Sequence, residues 1–152
     1  MVYLTRRYRF SAAHRLHNDA LSPQENARIY GKCNNPHGHG HNYVLEVTVA
    51  GEVDPATGMV CDLGLLDGTV QREVLDRFDE THLNLDDDYF REHVPTAENI
   101  CRVVFDLLRG PLAGAGPGRN TRLERVRLGE TNSNFFEYDG GREPRATAPR
   151  VR

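Results

Sequence analysis

The chain reads as an α+β protein, a four-stranded antiparallel sheet with two helices packed on one face. Three observations predict this. The segment from His39 to Gly51 alternates, setting His39, His41, Tyr43, Leu45, Val47 and Val49 on one side, the period of a strand. Leu66, Val70, Val74 and Phe78 recur at the spacing of one helical face, and Ile100, Val103, Val104, Leu107 and Leu108 line a second helix. The order is strand, strand-hairpin, helix, helix, strand-hairpin, which lays the helices on one side of an antiparallel sheet. The other side is expected to stay partly apolar and to receive a partner subunit.

Each element has its own signal. The first strand is expected from about Val2 to Ala13, followed by a long polar segment from His17 to Lys32 that reads as an active-site loop. After the second strand, Asp54-Pro55-Ala56-Thr57-Gly58 carries turn chemistry, and Met59-Val60-Cys61 reads as a short returning strand. Asp62 can cap the first helix, which Gly64 and Gly68 weaken locally. Asp79 to His93 reads as an acidic loop or pair of turns, rich in Asp86-Asp87-Asp88. Pro95-Thr96 opens the second helix, with Thr96 as its cap and Glu98 near its positive end. Gly110 to Asn120 is a loop. Val126, Leu128 and Glu130 alternate on a third long strand, and Phe135 to Tyr138 returns as a hairpin after Thr131-Asn132-Ser133-Asn134. Residues 1–139 read as one domain, and the Gly-, Pro- and Arg-rich tail from 140 to 152 as disordered.

Composition narrows the function. A length of 152 residues supports one core. A net charge of −3 with pI near 6.1 argues against nucleic acid or an anionic membrane as a partner. No apolar run approaches a membrane span, and the first residues lack the apolar centre of a signal peptide. Cys33, Cys61 and Cys101 form no disulfide framework and no paired metal-knuckle spacing, so a cytoplasmic protein with reduced thiols is expected. Cys61 and Cys101 read as core residues. Cys33 does not.

The chemistry concentrates in Cys33-Asn34-Asn35-Pro36-His37-Gly38-His39-Gly40-His41-Asn42-Tyr43. On a strand, His39 and His41 project together, giving half of a site for zinc, which favours neutral imidazole. His37 and His39 form a second possible pair. The third ligand must come from elsewhere, and the chain offers His14 and His17.

Taken together, FSAAHRL, GKCNNP followed by GHGHNY, PTAEN and Gly129-Glu130-Thr131 resemble the 6-pyruvoyltetrahydropterin synthase family, whose relatives include the 6-carboxytetrahydropterin synthases of queuosine biosynthesis. The resemblance runs in order from about Val2 to Tyr138. It implies the tunnelling fold (T-fold), a homohexamer with sites at subunit interfaces, zinc, and 7,8-dihydroneopterin triphosphate as substrate. By resemblance, His14, His39 and His41 are the zinc ligands and Cys33 the catalytic thiol. Glu130 then anchors the pterin ring, with Thr96 and Ala97 beside it. Cys33 stands six residues before His39, as in the pyruvoyl-forming members, although Cys33 and His37-Gly38-His39 also fit the shorter spacing of the carboxy-forming ones. The family's Asp-His pair aligns without gaps to Asp79-Glu80, so glutamate replaces histidine there, with His82 two residues beyond.

The reaction so implied removes triphosphate while protons are redistributed on adjacent carbons. Zinc held by three neutral histidines keeps its full charge for that purpose. A thiol near zinc and Lys32 can have its pKa lowered toward neutrality, so Cys33 is expected to take the proton and Asp79, with His82, to return it. Arg15, Arg28 and Lys32 are the nearest cations for the triphosphate. The same residues suit a carboxy-forming synthase. A non-catalytic zinc- and pterin-binding protein is the rival from another class.

Overall fold

The computed structural model describes residues 1–117 and 120–141. Strand β1 (Val2–His14) pairs antiparallel with β2 (His39–Gly51) along its whole length, from Val2 opposite Gly51 to His14 opposite His39. On its other side β2 pairs with β4 (Arg122–Gly129), which carries the hairpin strand β5 (Phe135–Tyr138). A two-residue strand, β3 (Thr81–His82), lies parallel to β1 and completes the order β3-β1-β2-β4-β5. The sheet is therefore five-stranded and mixed, not four-stranded and antiparallel. Two residues carry no period, which is why β3 cannot be read from the chain.

Helix α2 (Leu63–Val70) starts at Asp62, whose carboxylate accepts the Leu65 N–H at 3.1 Å. It continues through a wider π-helical turn (Gln71–Leu75) into α3 (Asp76–Phe78), so the expected apolar face stays continuous. Helix α6 (Ala97–Arg109) is capped by Thr96, as expected. Both lie on the face that carries Phe10, Tyr43, Leu45, Val47, Val126 and Leu128, all buried. Full burial of each such side chain contributes about 1.5–3 kcal/mol relative to exposure. No helix of the described residues is long and apolar enough to cross a membrane.

Two further expectations are corrected and a third is refined. Met59–Cys61 is not a strand: β2 already has β1 on one side and β4 on the other, so no ladder position remains for it. The segment is a loop, closed by the Asp54 N–H donating to the Met59 carbonyl at 3.0 Å. The polar stretch from His17 to Lys32 contains helix α1 (Pro23–Tyr30), opened by a capping box in which Ser22 and Glu25 bond each other's backbone. The stretch from Asp79 to His93 contains β3 and two short helices, α4 (Leu83–Asp86) and α5 (Asp88–Glu92).

The sheet's second face keeps exposed apolar residues toward its ends, Tyr3 on β1 and Phe135 on β5, while its middle is polar. The register sets polar residues of β1 opposite polar residues of β2: Thr5 with Thr48 at 2.8 Å, Arg7 with Glu46 at 2.7 Å, and Ser11 with Asn42 at 2.7 Å. Its middle is a field of cross-strand polar pairs rather than an apolar surface. The expected tail lies, from 142 onward, outside the described residues, as do 118 and 119 of the loop after α6.

Candidate metal centre and its surroundings

Strand register builds the centre. His14 is the last residue of β1 and His39 the first of β2, directly opposite each other, while His41 lies opposite Ala12. All three continue the helix-covered face beyond Phe10 and Tyr43. Their rings meet edge to face, with centroids 4.7 Å apart for His14 and His39, 5.0 Å for His14 and His41, and 4.8 Å for His39 and His41. One nitrogen from each lies within 4.8 Å of the others. Between His14 and His17, the two offered by the sequence, the cluster takes His14. His17 turns instead to Asn34 at 2.8 Å and Asp19 at 3.2 Å, and His37 is exposed.

The protonation states suit a cation. The Pro95 carbonyl, just before α6, accepts the His14 Nδ1–H at 2.8 Å, which leaves Nε2 as a bare lone pair. That Nε2 stands 3.1 Å from His39 Nε2. Burial, reinforced by the neighbouring His39, His41 and His82 rings, pushes the His14 pKa down to about 4 against the opposing Pro95 bond. Burial and then His41 push His39 down as well. Around tetrahedral zinc, with bonds near 2.0 Å, ligand nitrogens stand about 3.3 Å apart. The His14–His39 pair stands near this spacing and a His41 nitrogen lies within 4.8 Å of both, an arrangement that fits such an ion.

Glu130, just past β4, brings Oε1 to 3.8 Å from His14 Nε2 and 3.7 Å from His41 Nε2. Its Oε2 accepts from the Asn134 side chain at 3.3 Å. Tyr43 lies beneath, its hydroxyl 3.4 Å from His14 Nδ1. Burial, followed by the charges of Glu130 and Cys33, raises its pKa, so the phenol stays protonated.

Cys33 is half-buried on the 3₁₀ turn Gly31–Asn34, tied to the end of β1 by its carbonyl, which accepts the Leu16 N–H at 2.9 Å. Asp79 sits at the sheet edge, where its carboxylate accepts the Ser11 N–H at 2.8 Å. Glu80 follows with φ 57 and is exposed, its N–H donating to the Ser11 carbonyl at 2.7 Å. The structure thus leaves Glu80 exposed and half-buries His82. The His82 Nδ1 is buried with no hydrogen-bond partner among the described residues. Gly38, at φ +70, makes this closeness possible: a Cβ there would stand 2.8 Å from the His14 carbonyl oxygen and 2.9 Å from His82 Nε2.

His82 also joins two cavities. One, of about 560 Å³, is lined by Ser11, His41, Asn42, Glu80 and Asp86 among others. The second, of about 930 Å³, is lined by Arg15, His17, Tyr30, Arg91 and Thr96 among others. Arg28 and Lys32 are exposed on α1 and the turn after it. Thr96 spends its hydroxyl on the helix cap, accepting from the Asn99 N–H at 3.3 Å. Ala97 is buried with its methyl in the core, leaving its N–H among the free donors of the helix start. The Pro95 carbonyl escapes sequence reading because a backbone acceptor has no residue signature.

The model of the family described as 6-pyruvoyl tetrahydropterin synthase matches residues 3–141. The chain belongs to that family. A Homo sapiens protein named 6-pyruvoyl tetrahydrobiopterin synthase is 42% identical over 137 residues, covering 90% of each chain. The solved structure of Caenorhabditis elegans 6-pyruvoyl tetrahydropterin synthase superposes with a TM-score of 0.82 at 42% identity, covering 91% of this chain and 95% of that one. A Rickettsia felis protein named 6-carboxy-5,6,7,8-tetrahydropterin synthase is 28% identical over 152 residues, covering 90% of this chain and 99% of its own length. The family's tunnelling fold is the fold found here, with five strands in place of the four expected.

Proposed function

We propose that this family member is a zinc-dependent lyase that eliminates triphosphate from 7,8-dihydroneopterin triphosphate to give 6-pyruvoyltetrahydropterin. The observation that carries the reading is the convergence of His14, His39 and His41 with a carboxylate, Glu130, within 4.0 Å of two of them. His14, His39 and His41 would hold zinc, which when bound supplies a Lewis acid for the substrate's side-chain hydroxyls and makes the adjoining C–H bonds more acidic.

The chain's own residues do the rest. Glu130 accepts two parallel hydrogen bonds from the N–H and amino edge of the pterin. Thr96 and the Ala97 N–H, at the start of α6, border the same substrate. Cys33 removes a proton from the side chain. His82, whose Nδ1 has no partner among the described residues, returns one, helped by Asp79, whose carboxylate is engaged by the Ser11 N–H and holds the strand edge on which His82 sits. The resemblance also implies a homohexamer, to be checked by light scattering.

Incubation of the zinc-loaded protein with dihydroneopterin triphosphate, followed by mass analysis of the pterin, tests the reading. The expected result is 6-pyruvoyltetrahydropterin with one triphosphate released per turnover. Release of 6-carboxytetrahydropterin and a two-carbon aldehyde instead identifies the carboxy-forming reaction. Binding of zinc and pterin without triphosphate release overturns the enzymatic reading.

A further inference from the structure

His82 is held near the metal centre by nothing on its own ring: Nδ1 has no partner among the described residues. Its position is therefore set by its backbone. Strand β3 pairs in parallel with β1 at Ala12 opposite Thr81 and Ala13 opposite His82. Continued in register, the ladder would set His14 opposite Leu83 and then Arg15 opposite Asn84, but the chain turns into helix α4 at Leu83. There the Asn84 carboxamide takes over. Its Oδ1 accepts the Arg15 N–H at 2.8 Å and its Nδ2 donates to the Arg15 carbonyl at 3.0 Å, the two-way bond of a paired strand residue made by a side chain. Asp86 closes the same turn by accepting the His82 N–H at 2.7 Å.

We propose that Asn84 is a positioning residue, a latch that carries the β1–β3 ladder two residues past its end and so sets where His82 stands relative to His14, His39 and His41. The consequence for turnover rests on the catalytic reading above; the latch itself does not. His14 is independently secured by β2 and Pro95. Loss of Asn84 therefore moves His82 and leaves the histidine cluster in place.

The test uses Asn84→Ala, Asn84→Asp and Asn84→Ala combined with His82→Ala. In metal-free protein at pH 8, NMR should show Arg15 amide exchange at least tenfold faster in Asn84→Ala than in the parent. The His82 ring signal should shift while those of His14, His39 and His41 stay. Asn84→Asp keeps the acceptor and loses the donor, so it should retain Arg15 protection yet still shift His82; it decides the matter if Asn84→Ala does not fold. In the enzyme, Asn84→Ala should lower kcat at least tenfold with KM and the visible spectrum of bound Co²⁺ retained. That loss should vanish when His82 is already alanine. Unchanged Arg15 exchange with an unmoved His82 signal overturns the latch, as does a kcat loss that persists without His82. A parent protein that releases no triphosphate defeats the catalytic reading alone, because the NMR arm still decides the latch.

Discussion

His14 and His39 face each other across the ends of β1 and β2, their Nε2 atoms 3.1 Å apart. With both imidazoles held neutral by burial, two lone pairs at that distance repel unless a proton or cation lies between them. Zinc should therefore stabilise the protein. At a hundred times its Kd, a ligand bound only by the folded state adds about 2.7 kcal/mol. For a chain of this size that raises the thermal midpoint by roughly 5–10 °C. Calorimetry should show the rise in the parent and in His17→Ala and His37→Ala, whose side chains lie outside the cluster, and should lose it in His14→Ala and His39→Ala.

Cys33 sits on a turn fastened to β1 through backbone, not through the metal-facing nitrogens. Cys33→Ala should accordingly keep one zinc per chain, measured by atomic absorption, while kcat falls by about 10²-fold or more, the usual scale of a removed general base. Near-normal turnover would remove the thiol from the mechanism.

How much of this could be read from residues alone depends on whether a position is set by a period or by a contact. The alternation from His39 through Val49 and the helical spacing of Leu66 to Phe78 specify faces, so the core and the His39–His41 pair follow from them. The partner across the sheet, His14, needs the register, which the family resemblance supplied and β1–β2 pairing realises. Helix α1 was legible in principle from Ser22-Pro23-Gln24-Glu25, a capping box at the head of an otherwise polar stretch. Its single buried residue, Asn26, leaves no apolar stripe to betray it. The segment around His82 is different. Its shape comes from side-chain bonds to distant backbone, Asn84 to Arg15 and Asp79 to Ser11, and such pairings leave no local pattern. A gap-free reading therefore landed on Glu80, which the fold leaves exposed.

Glu130 stands within reach of two imidazoles, so its part can be separated from theirs. If it anchors the pterin, Glu130→Gln forfeits charge-assisted hydrogen bonds worth about 1.5–3 kcal/mol, and kcat/KM should fall roughly 10–100-fold. Zinc affinity, measured by competition with a chelator, should change by no more than a few-fold. A large loss of zinc would instead make Glu130 a ligand.

Asp87 offers a stability test away from the centre. Its carboxylate is almost fully buried, accepts the Arg77 Nε–H at 2.6 Å and caps α5 by accepting the Phe90 N–H at 3.1 Å. Burial opposes the charge, but the Arg77 and backbone bonds outweigh it, and the pKa falls below the ordinary carboxylate value of 3.8. The sign follows from proton counting. Below that ordinary value the unfolded chain takes up a proton that the folded one resists, so stability is full above it and drains away as pH falls toward the folded pKa. Asp87→Asn retains the cap acceptor but leaves the half-exposed Arg77 without its partner charge, and should cost about 2 kcal/mol at pH 7, the scale of a hydrogen bond to a charged group. Denaturant melts of parent and variant should then converge as the pH drops below 3.8. If the gap between them stays constant down to that region, the carboxylate is not the source of the difference, and Asp87 matters for its shape alone.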